Sequence, residues 1–314
     1  MENETQNKIA ENSSQTRLGK KYTSIAAFAI ASVIFVGGMY AGGIGDIASI
    51  NEESAPIVAE SQTQVSEETV LPHGGVELQV VWGNLGSKLV DAGAIDTDKF
   101  KAIYEQRGVF TDEYETLLLG QSNGNLKITK DNAGYLLNLF WALGLASKNP
   151  ILDSGEMADI AYGGAGNFAS TGGWTLSKGN AMGHYSKHSF FELTTEQQAL
   201  VDKVSRGIYR PCCGNSTHFP DCNHGMAMLG LLELMASQGA SEQEMWNTAL
   251  IINSYWFPDT YITIATYMKS KGIEWKHVSP QEVLGINYSS ASGYAQVASK
   301  VTMPKQQSGG SCGA

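Results

Sequence analysis

The sequence predicts a mainly α-helical protein, with a single N-terminal membrane-spanning segment followed by an irregular helical globular domain. Three observations lead to this prediction. Residues 25–44 form an uncharged apolar run, several later segments carry helix-capping residues at their starts and glycine at their ends, and only residues 76–82 (VELQVVW) resemble a strand. With 314 residues, 42% of them apolar, the chain is long enough to bury a substantial core.

The apolar run IAAFAIASVIFVGGMYAGGI is long enough for a helix to cross a bilayer. We therefore expect a transmembrane anchor over residues 22–45. The basic residues before it are Lys8, Arg17, Lys20 and Lys21. The positive-inside rule places residues 1–21 in the cytoplasm and the rest of the protein outside the cell membrane. A cleaved signal peptide is the alternative, but the polar lead is long and no clear A-x-A site follows the run.

Residues 46–75 are predicted to be an acidic flexible tether. Acidic residues without Lys or Arg are interleaved there with Ser, Thr and Gln, a composition that buries too little apolar surface to fold. Residues 76–303 are predicted to form the helical extracytoplasmic domain, which has no basic face for nucleic acid. Residues 304–314, rich in Gly and containing Cys312, are predicted to be a flexible tail.

The first helices of the domain are predicted from their end signals. Residues 97–106 and 111–119 each begin with Thr and an acid and stop before or at glycine. Residues 131–146 are apolar on most of the helix circumference, which predicts a helix inside the core. Phe140 and Trp141 should therefore pack within the domain.

The middle of the domain begins with an irregular stretch. Residues 163–174 (GGAGNFASTGGW) lack the preceding strand that a phosphate-binding loop requires, so we expect an ordered loop. Thr194 or Thr195, with Gln three residues later, forms a capping box that should start a helix ending near Ile208. Ser241 and Glu244 form a second capping box. The other helices are predicted over residues 226–237, 241–254, 258–271 and, as a short helix, 294–301.

Residues 211–224 (PCCGNSTHFPDCNH) concentrate the reactive side chains of the chain. Three of its four cysteines and two of its six histidines lie in this segment. Thiolate and imidazole are ligands that zinc and copper prefer. The segment therefore predicts a transition-metal site for zinc or copper. Its candidate ligands are Cys212, Cys213, His218, Cys222 and His224.

The last part of this cluster immediately precedes an apolar helix predicted to start near Gly225. Asp221 or Asn223 could cap that helix. A helix N-terminus favours a thiolate, so Cys222 is a candidate for the ionised sulfur. The C-x-x-C-H haem motif, a C-x-x-C redox pair and zinc-finger spacings are all missing from the cluster, so the pattern names no particular metal.

Two other groups of residues could also bind a metal. His184 and His188 are four residues apart and would share a face of a helix, but surface or core packing is the favoured interpretation. Met226, Met228 and Met235 are soft ligands in principle, yet methionine on an apolar helix usually fills the core.

Four segments of the chain together resemble an uncharacterised family of membrane-anchored prokaryotic proteins. The segments are WGNLGSKLVDAGAID (82–96), LLNLFWALGLA (136–146), ASTGGWTL (169–176) and RPCCGNSTHFPDCNHGMAMLGLLELMA (210–236). The resemblance covers most of residues 76–270. It implies a membrane-anchored location and brings no established activity.

The Pro-Cys-Cys-Gly core is also faintly similar to exported proteins named for a PCYCGC motif. In this chain the residue between the first two cysteines is missing, and the third cysteine is displaced to Cys222. The likeness is local and implies no activity.

The favoured hypothesis is a membrane-anchored extracytoplasmic protein that binds a transition metal for storage, sensing or delivery, the last to a metal-accepting or surface partner. A thiol-dependent enzyme is one alternative, with Cys213 or Cys222 as the reactive thiol and His224 or His218 as its base. A surface scaffold stapled by disulfides, including one to Cys312, is the other. The sequence leans away from an enzyme because no family signature flanks the cysteines.

Overall fold

The computed structural model describes residues 65–301, and within this range the chain folds into a mainly helical domain, as the sequence predicted. The predicted cytoplasmic N-terminus, the anchor over residues 22–45, most of the tether and the tail with Cys312 lie outside the described residues. Among the helices of residues 65–301, none has the length and apolar character needed to cross a membrane.

The helices and strands follow one another along the chain in this order. The first part contains α1 (Glu67–Val70), β1 (Val76–Gly83), α2 (Leu85–Asp91), α3 (Thr97–Glu105), α4 (Asp112–Leu119), β2 (Asn123–Ile128), α5 (Ala133–Ala146), α6 (Pro150–Ser154) and α7 (Ala169–Gly172). The second part contains α8 (Thr195–Gly207), α9 (Asn223–Ser237), α10 (Glu242–Trp256), α11 (Pro258–Ser270), α12 (Pro280–Val283), α13 (Ile286–Ser289) and α14 (Ala291–Ala298). Short 3-10 turns occupy Glu156–Ala158, Ile160–Tyr162, Ala165–Asn167, Ala181–Gly183 and Trp275–His277.

The folded domain begins earlier than the sequence indicated. Val65, Val70 and Leu71 are buried in the core, and the backbone N–H of Val65 donates to Thr266 Oγ1 on α11 at 3.2 Å. These apolar side chains lie within the segment predicted as tether up to residue 75. These few apolar residues, although acidic residues lie between them, are enough to hold the segment against the domain because α11 offers an apolar surface.

Strand β1 pairs with a strand that the sequence analysis missed. β1 and β2 form an antiparallel two-stranded sheet, with an irregularity in register between Glu77 and Val81. The side chains of Leu78, Val80 and Trp82 alternate into the core. β2 (NGNLKI) has only two apolar residues, so it lacks the enrichment that marks a strand in sequence.

The predicted helix signals are largely confirmed, with shifted ends. Both capping boxes form, at Thr194–Gln197 and at Ser241–Glu244. Asp96 rather than Thr97 caps α3, because its carboxylate accepts from the backbone of Lys99. The last helix, α14, lies three residues earlier than predicted. The glycine-rich segment 163–174 is ordered and largely irregular, apart from a 3-10 turn and the single turn of α7.

Helices α5 and α9 form the centre of the core. Phe140 and Trp141 of α5 are buried, as predicted, and so are Met226, Met228 and Met235 of α9. The two backbones touch at Gly144 and Gly230: a Cβ on Gly144 would overlap the carbonyl of Met226. A Cβ on Gly230 would lie 2.7 Å from the carbonyl oxygen of Phe140. Only glycine at both positions allows this approach.

Helix α9 also brings a carboxyl group into the interior. Glu233 is 1% exposed, and its Oε1 accepts from Asn149 Nδ2 at 2.6 Å. Its Oε2 has no hydrogen-bond partner among the described residues. Burial raises the pKa of Glu233 well above its usual value, against the smaller opposing effects of Ser147 and Asn149.

Substituting Gly144→Ala should destabilise the domain by about 1–3 kcal/mol, because the methyl group forces α5 away from α9. Gly134→Ala on the same helix is the matched control, since nothing lies within 4 Å of the place that a Cβ would take there. That change should be neutral or stabilise by about 0.5 kcal/mol. Urea unfolding followed by circular dichroism measures both. Equal effects of the two substitutions would contradict the close approach.

The raised pKa of Glu233 predicts a pH dependence of stability. The protein should lose stability as pH rises from the usual glutamate pKa of 4.5 towards the raised value, because the folded state resists ionising this group. Glu233→Gln should remove that loss. Glu244→Gln is the control of opposite sign: Ser241 lowers the pKa of Glu244, so its stabilising effect is lost as pH falls. Thermal midpoints across a pH series distinguish the two, and parallel profiles for Glu233→Gln and the unmodified protein would refute the prediction.

Candidate metal centre

The cysteine and histidine cluster lies in the loop between α8 and α9, which is held by backbone hydrogen bonds on three sides. Thr217 N–H donates to Ile208 O at 2.8 Å, and Ser170 N–H donates to Asp221 O at 3.1 Å. Ala291 N–H donates to Cys213 O at 3.0 Å. The bonds with Ser170 and Ala291 come from distant parts of the sequence, so the loop has a fixed shape that brings its cysteines together.

A buried arginine forms the base of the cluster. The side chain of Arg210 is fully buried; its Nη2 donates to Asp221 Oδ1 at 2.6 Å and its Nε donates to Cys222 Sγ at 3.2 Å. Burial acts to lower the pKa of Arg210, but the neighbouring cysteines and Asp221 outweigh it and raise the pKa. The guanidinium lies directly against Gly225, where a Cβ would be 2.6 Å from Arg210 Cζ. Arg210 could not be identified from the sequence, because no local signal distinguishes a buried arginine from a surface one.

The sulfur atoms converge around Cys222. Cys212 Sγ lies 3.7 Å from Cys222 Sγ, and Cys212, Cys222 and His224 each have a ligand atom within 4.8 Å of the other two. Cys213, Asp221 and Cys222 form a second such group. Cys222 belongs to both groups and is therefore the centre of the cluster.

His224 presents its imidazole from the first turn of α9. The residue is buried, with its ring 4.4 Å from the ring of Phe257 and 5.7 Å from that of Trp256. Its Nδ1 is buried and has no hydrogen-bond partner among the described residues. A buried imidazole nitrogen without a partner is costly, and coordination of an ion is one way to satisfy a ring nitrogen.

The three thiols differ in their readiness to ionise. The neighbouring thiols of Cys212 and Cys213 hold the pKa of Cys222 well below its usual value, assisted by Arg210 and His224 and opposed by burial. The pKa of Cys212 is raised by Cys213, Cys222 and burial. For Cys213, Cys212 acts to lower the pKa, but Cys222 and burial prevail and raise it. Of the three thiols, Cys222 is therefore the one whose ionisation is most favoured, which is the direction expected from its place before a helix.

Cys222 itself caps helix α9. Its Sγ accepts from the backbone N–H of Gly225 at 3.5 Å, and the helix begins at Asn223. The sequence pattern predicted Asp221 or Asn223 as the cap, since oxygen is the usual acceptor. Asp221 is instead engaged by Arg210 and by Asn215 Nδ2 at 2.8 Å, which leaves the thiolate at the capping position.

His218 is separated from the cluster, which corrects the predicted ligand set. Its Nε2 hydrogen-bonds with Asp202 Oδ1 on α8 at 2.8 Å, and its backbone N–H donates to Ser205 O. It belongs to neither group of converging ligand atoms in the described part of the chain. His218 instead links the loop to α8. The spacing of the residues along the sequence could not predict the direction of its imidazole.

His184 and His188 pack within the domain, in agreement with the interpretation favoured from the sequence. His184 Nδ1 lies 3.1 Å from His188 Nε2, and His184 Nε2 lies 2.8 Å from the carbonyl oxygen of Lys178. The stretch is not helical: His188 pairs with Ser147 in an isolated bridge. The pair belongs to no group of three ligand residues between positions 65 and 301.

Replacing Arg210 should raise the pKa of Cys222. In Arg210→Met the guanidinium that favours the thiolate is lost, so ionisation should require a higher pH. The pH dependence of the ultraviolet absorbance of the thiolate measures this shift. Arg206→Met is the control, because Arg206 is half exposed and pairs with Asp202. An unchanged thiolate titration in folded Arg210→Met, verified by circular dichroism, would contradict the role of Arg210.

Comparisons with protein-family models, with curated protein sequences and with solved structures found no match for this chain. The chemistry of the cluster is therefore argued from its own atoms: three sulfurs, one imidazole and a buried guanidinium.

Proposed function

We propose that this protein is a membrane-anchored extracytoplasmic protein that binds one transition-metal ion, zinc or copper. Cys212, Cys222 and His224 form the core of the ligand set, and Cys213 supplies a fourth ligand. The observation that carries this proposal is that ligand atoms of Cys212, Cys222 and His224 lie within 4.8 Å of one another in an ordered loop, with Cys213 close to Cys222 in a second such group. His218, with its imidazole on Asp202, is not part of the proposed set.

The spacing of the sulfurs fits a tetrahedral thiolate site. Two sulfurs at about 2.3 Å from one zinc ion lie about 3.8 Å apart at the tetrahedral angle. Cys212 Sγ and Cys222 Sγ are 3.7 Å apart. Three thiolates and one imidazole form a donor set that structural zinc sites use, and soft thiolates also suit monovalent copper.

The surrounding charges also fit a bound ion. Three thiolates around a divalent cation leave one net negative charge and Asp221 adds a second, of which the adjacent Arg210 guanidinium would balance one. Before an ion binds, Arg210 already stabilises the thiolate of Cys222, to which its Nε donates. The ligand that must be ionised first is therefore prepared by the protein.

The exposure of Cys212 bears on the proposed role. Cys212 reaches the surface, whereas Cys213 is half-buried and His224 is buried. An ion held between an exposed and a buried ligand can be passed to an incoming ligand through the exposed side. Storage, sensing and delivery to a metal-accepting or surface partner all fit this arrangement, and the apolar run before residue 45 would keep the domain at the membrane.

A disulfide between Cys212 and Cys222 is the competing use of the same atoms. Their sulfurs need to approach from 3.7 Å to about 2.05 Å to form the bond. Disulfides are common outside the cytoplasm. Such a bond would remove two of the proposed ligands, so metal binding and oxidation of this pair exclude each other.

Metal analysis of the reduced full-length protein tests the proposal. After incubation with zinc and removal of excess ion, we expect about one ion per chain, and the same for monovalent copper under reducing conditions. Cys222→Ser and His224→Ala should each lower the affinity at least tenfold, because the remaining ligands cannot complete the site. His218→Ala is the matched control from the same loop and should bind as the unmodified protein does.

Two outcomes would overturn the proposal. One is protein that holds no metal and has no free thiols among Cys212, Cys213 and Cys222 even when prepared under reducing conditions. The other is metal binding that survives His224→Ala but is lost in His218→Ala. Free thiols that alkylate rapidly, in a reduced protein that binds no ion, would favour a reactive thiol instead.

A further inference from the structure

A second candidate site lies at the opposite end of helix α9. A cavity of about 440 Å³ lies between the residues after α5, the segment before α8 and the side of α9. This volume falls within the range of small-molecule pockets. The lining includes Ser147, Phe191, Leu193, Thr194, Gln198 and Glu233.

Glu233 provides an unsatisfied acceptor in this lining. The residue is 1% exposed, and its Oε1 is taken by Asn149 Nδ2 while its Oε2 has no partner among the described residues. Ser147 Oγ, also in the lining, is buried and equally unpartnered within residues 65–301. A buried carboxyl oxygen without a donor is among the most costly groups to leave unsatisfied.

The protein holds this carboxyl group in place, and burial raises its pKa, so it ionises readily only when a positive charge lies beside it. Asn149 is fixed by its own contacts, since its Oδ1 accepts from Gln198 Nε2 at 3.1 Å and from Ile151 N–H at 2.9 Å. Lys148 is the basic residue in the lining, and it is exposed. Within residues 65–301 no donor, Lys148 included, meets Oε2 in hydrogen-bond geometry, although Ser147 lies close enough to oppose the pKa-raising effect of burial on Glu233.

The rest of the lining indicates the chemistry of a ligand. Glu192 and Glu233 outnumber the one basic group, Lys148, while Phe191 and Leu193 provide an apolar wall. Glu233 belongs to no group of three metal-ligand residues in the described part of the chain, so a metal ion is not the fitting occupant. The complementary ligand has a hydrogen-bond donor with a positive charge and an apolar body.

We infer that this cavity binds a small organic molecule through an ammonium group that donates to Glu233 Oε2, with its apolar part against Phe191 and Leu193. Ser147 Oγ accepts a second hydrogen bond from the same ammonium group. The site is separate from the metal cluster, because Cys222 and Glu233 lie about 16 Å apart along the axis of α9. Failure of metal binding therefore leaves this inference intact, and the reverse also holds.

Three probes of one size test the inference with the full chain. Benzylamine carries the ammonium group, benzyl alcohol is its neutral counterpart, and benzoate is the anion. We expect NMR line-broadening titrations to give an affinity for benzylamine at least about tenfold above that for the other two, as expected for a charge-assisted hydrogen bond. Equal affinity for benzyl alcohol or benzoate would overturn the inference.

Variants locate the binding. Glu233→Gln keeps the size of the side chain and should reduce the preference for benzylamine over benzyl alcohol to less than about threefold. Glu192→Gln, an exposed carboxylate in the same lining, is the matched control and should keep the preference. Loss of the preference in Glu192→Gln, or its persistence in Glu233→Gln, would contradict the assignment.

A variant outside the buried polar network covers the case in which Glu233→Gln does not fold. Phe191→Ala removes the apolar wall and should weaken benzylamine and benzyl alcohol by similar factors. Unchanged benzylamine affinity in folded Phe191→Ala would place the probe elsewhere on the protein and would refute the inference.

Discussion

The contact between α5 and α9 at Gly144 and Gly230 determines where the functional groups of this domain lie. Two helices whose backbones touch cannot slide or rotate against each other without overlap, so α9 has one position in the core. Cys222 and His224 stand at the beginning of α9, and Glu233 stands near its end. The cysteine and histidine cluster and the buried carboxyl group therefore depend on the same pair of glycines, although neither glycine touches them.

The position of α9 also determines the charges that surround Arg210, because this side chain lies against the first turn of the helix. A fully buried guanidinium requires compensating charge, and Asp221 and the thiolate of Cys222 provide it from the same loop. The missing Cβ of Gly225 lets the guanidinium lie against the first turn of the helix. The positive end of the helix and the guanidinium both favour an anion at this point, and Cys222 is the anion that the loop supplies there.

The sequence predicted much of this structure where signals are local. Capping residues located α8 and α10, and continuous apolar character located α5 and α9. The clustering of cysteines in the sequence indicated the loop in which the candidate ligands converge, and the position of Cys222 before a helix indicated the direction of its pKa shift. Contacts between residues far apart in the chain could not be predicted from the sequence. β2 becomes a strand because β1 pairs with it, Val65 becomes core because α11 covers it, and His218 leaves the cluster because Asp202 lies beside it. Arg210 and Glu233 are important because their side chains are buried, and the sequence around them does not predict that burial.

The use of a sulfur as the cap of α9 has a thermodynamic consequence. A neutral thiol is a weak hydrogen-bond acceptor, whereas a thiolate accepts a stronger, charge-assisted bond, so how firmly Cys222 holds the first turn of α9 depends on the state of its sulfur. Any group that binds the lone pairs of the Cys222 sulfur competes with the backbone N–H of Gly225. By linkage, a change in the bonding of Cys222 must alter the free energy of fraying at this helix end, and fraying must alter the affinity of the sulfur by the same factor. At the start of α9, the chemical state of the Cys222 sulfur and the local unfolding of the helix end are therefore thermodynamically coupled.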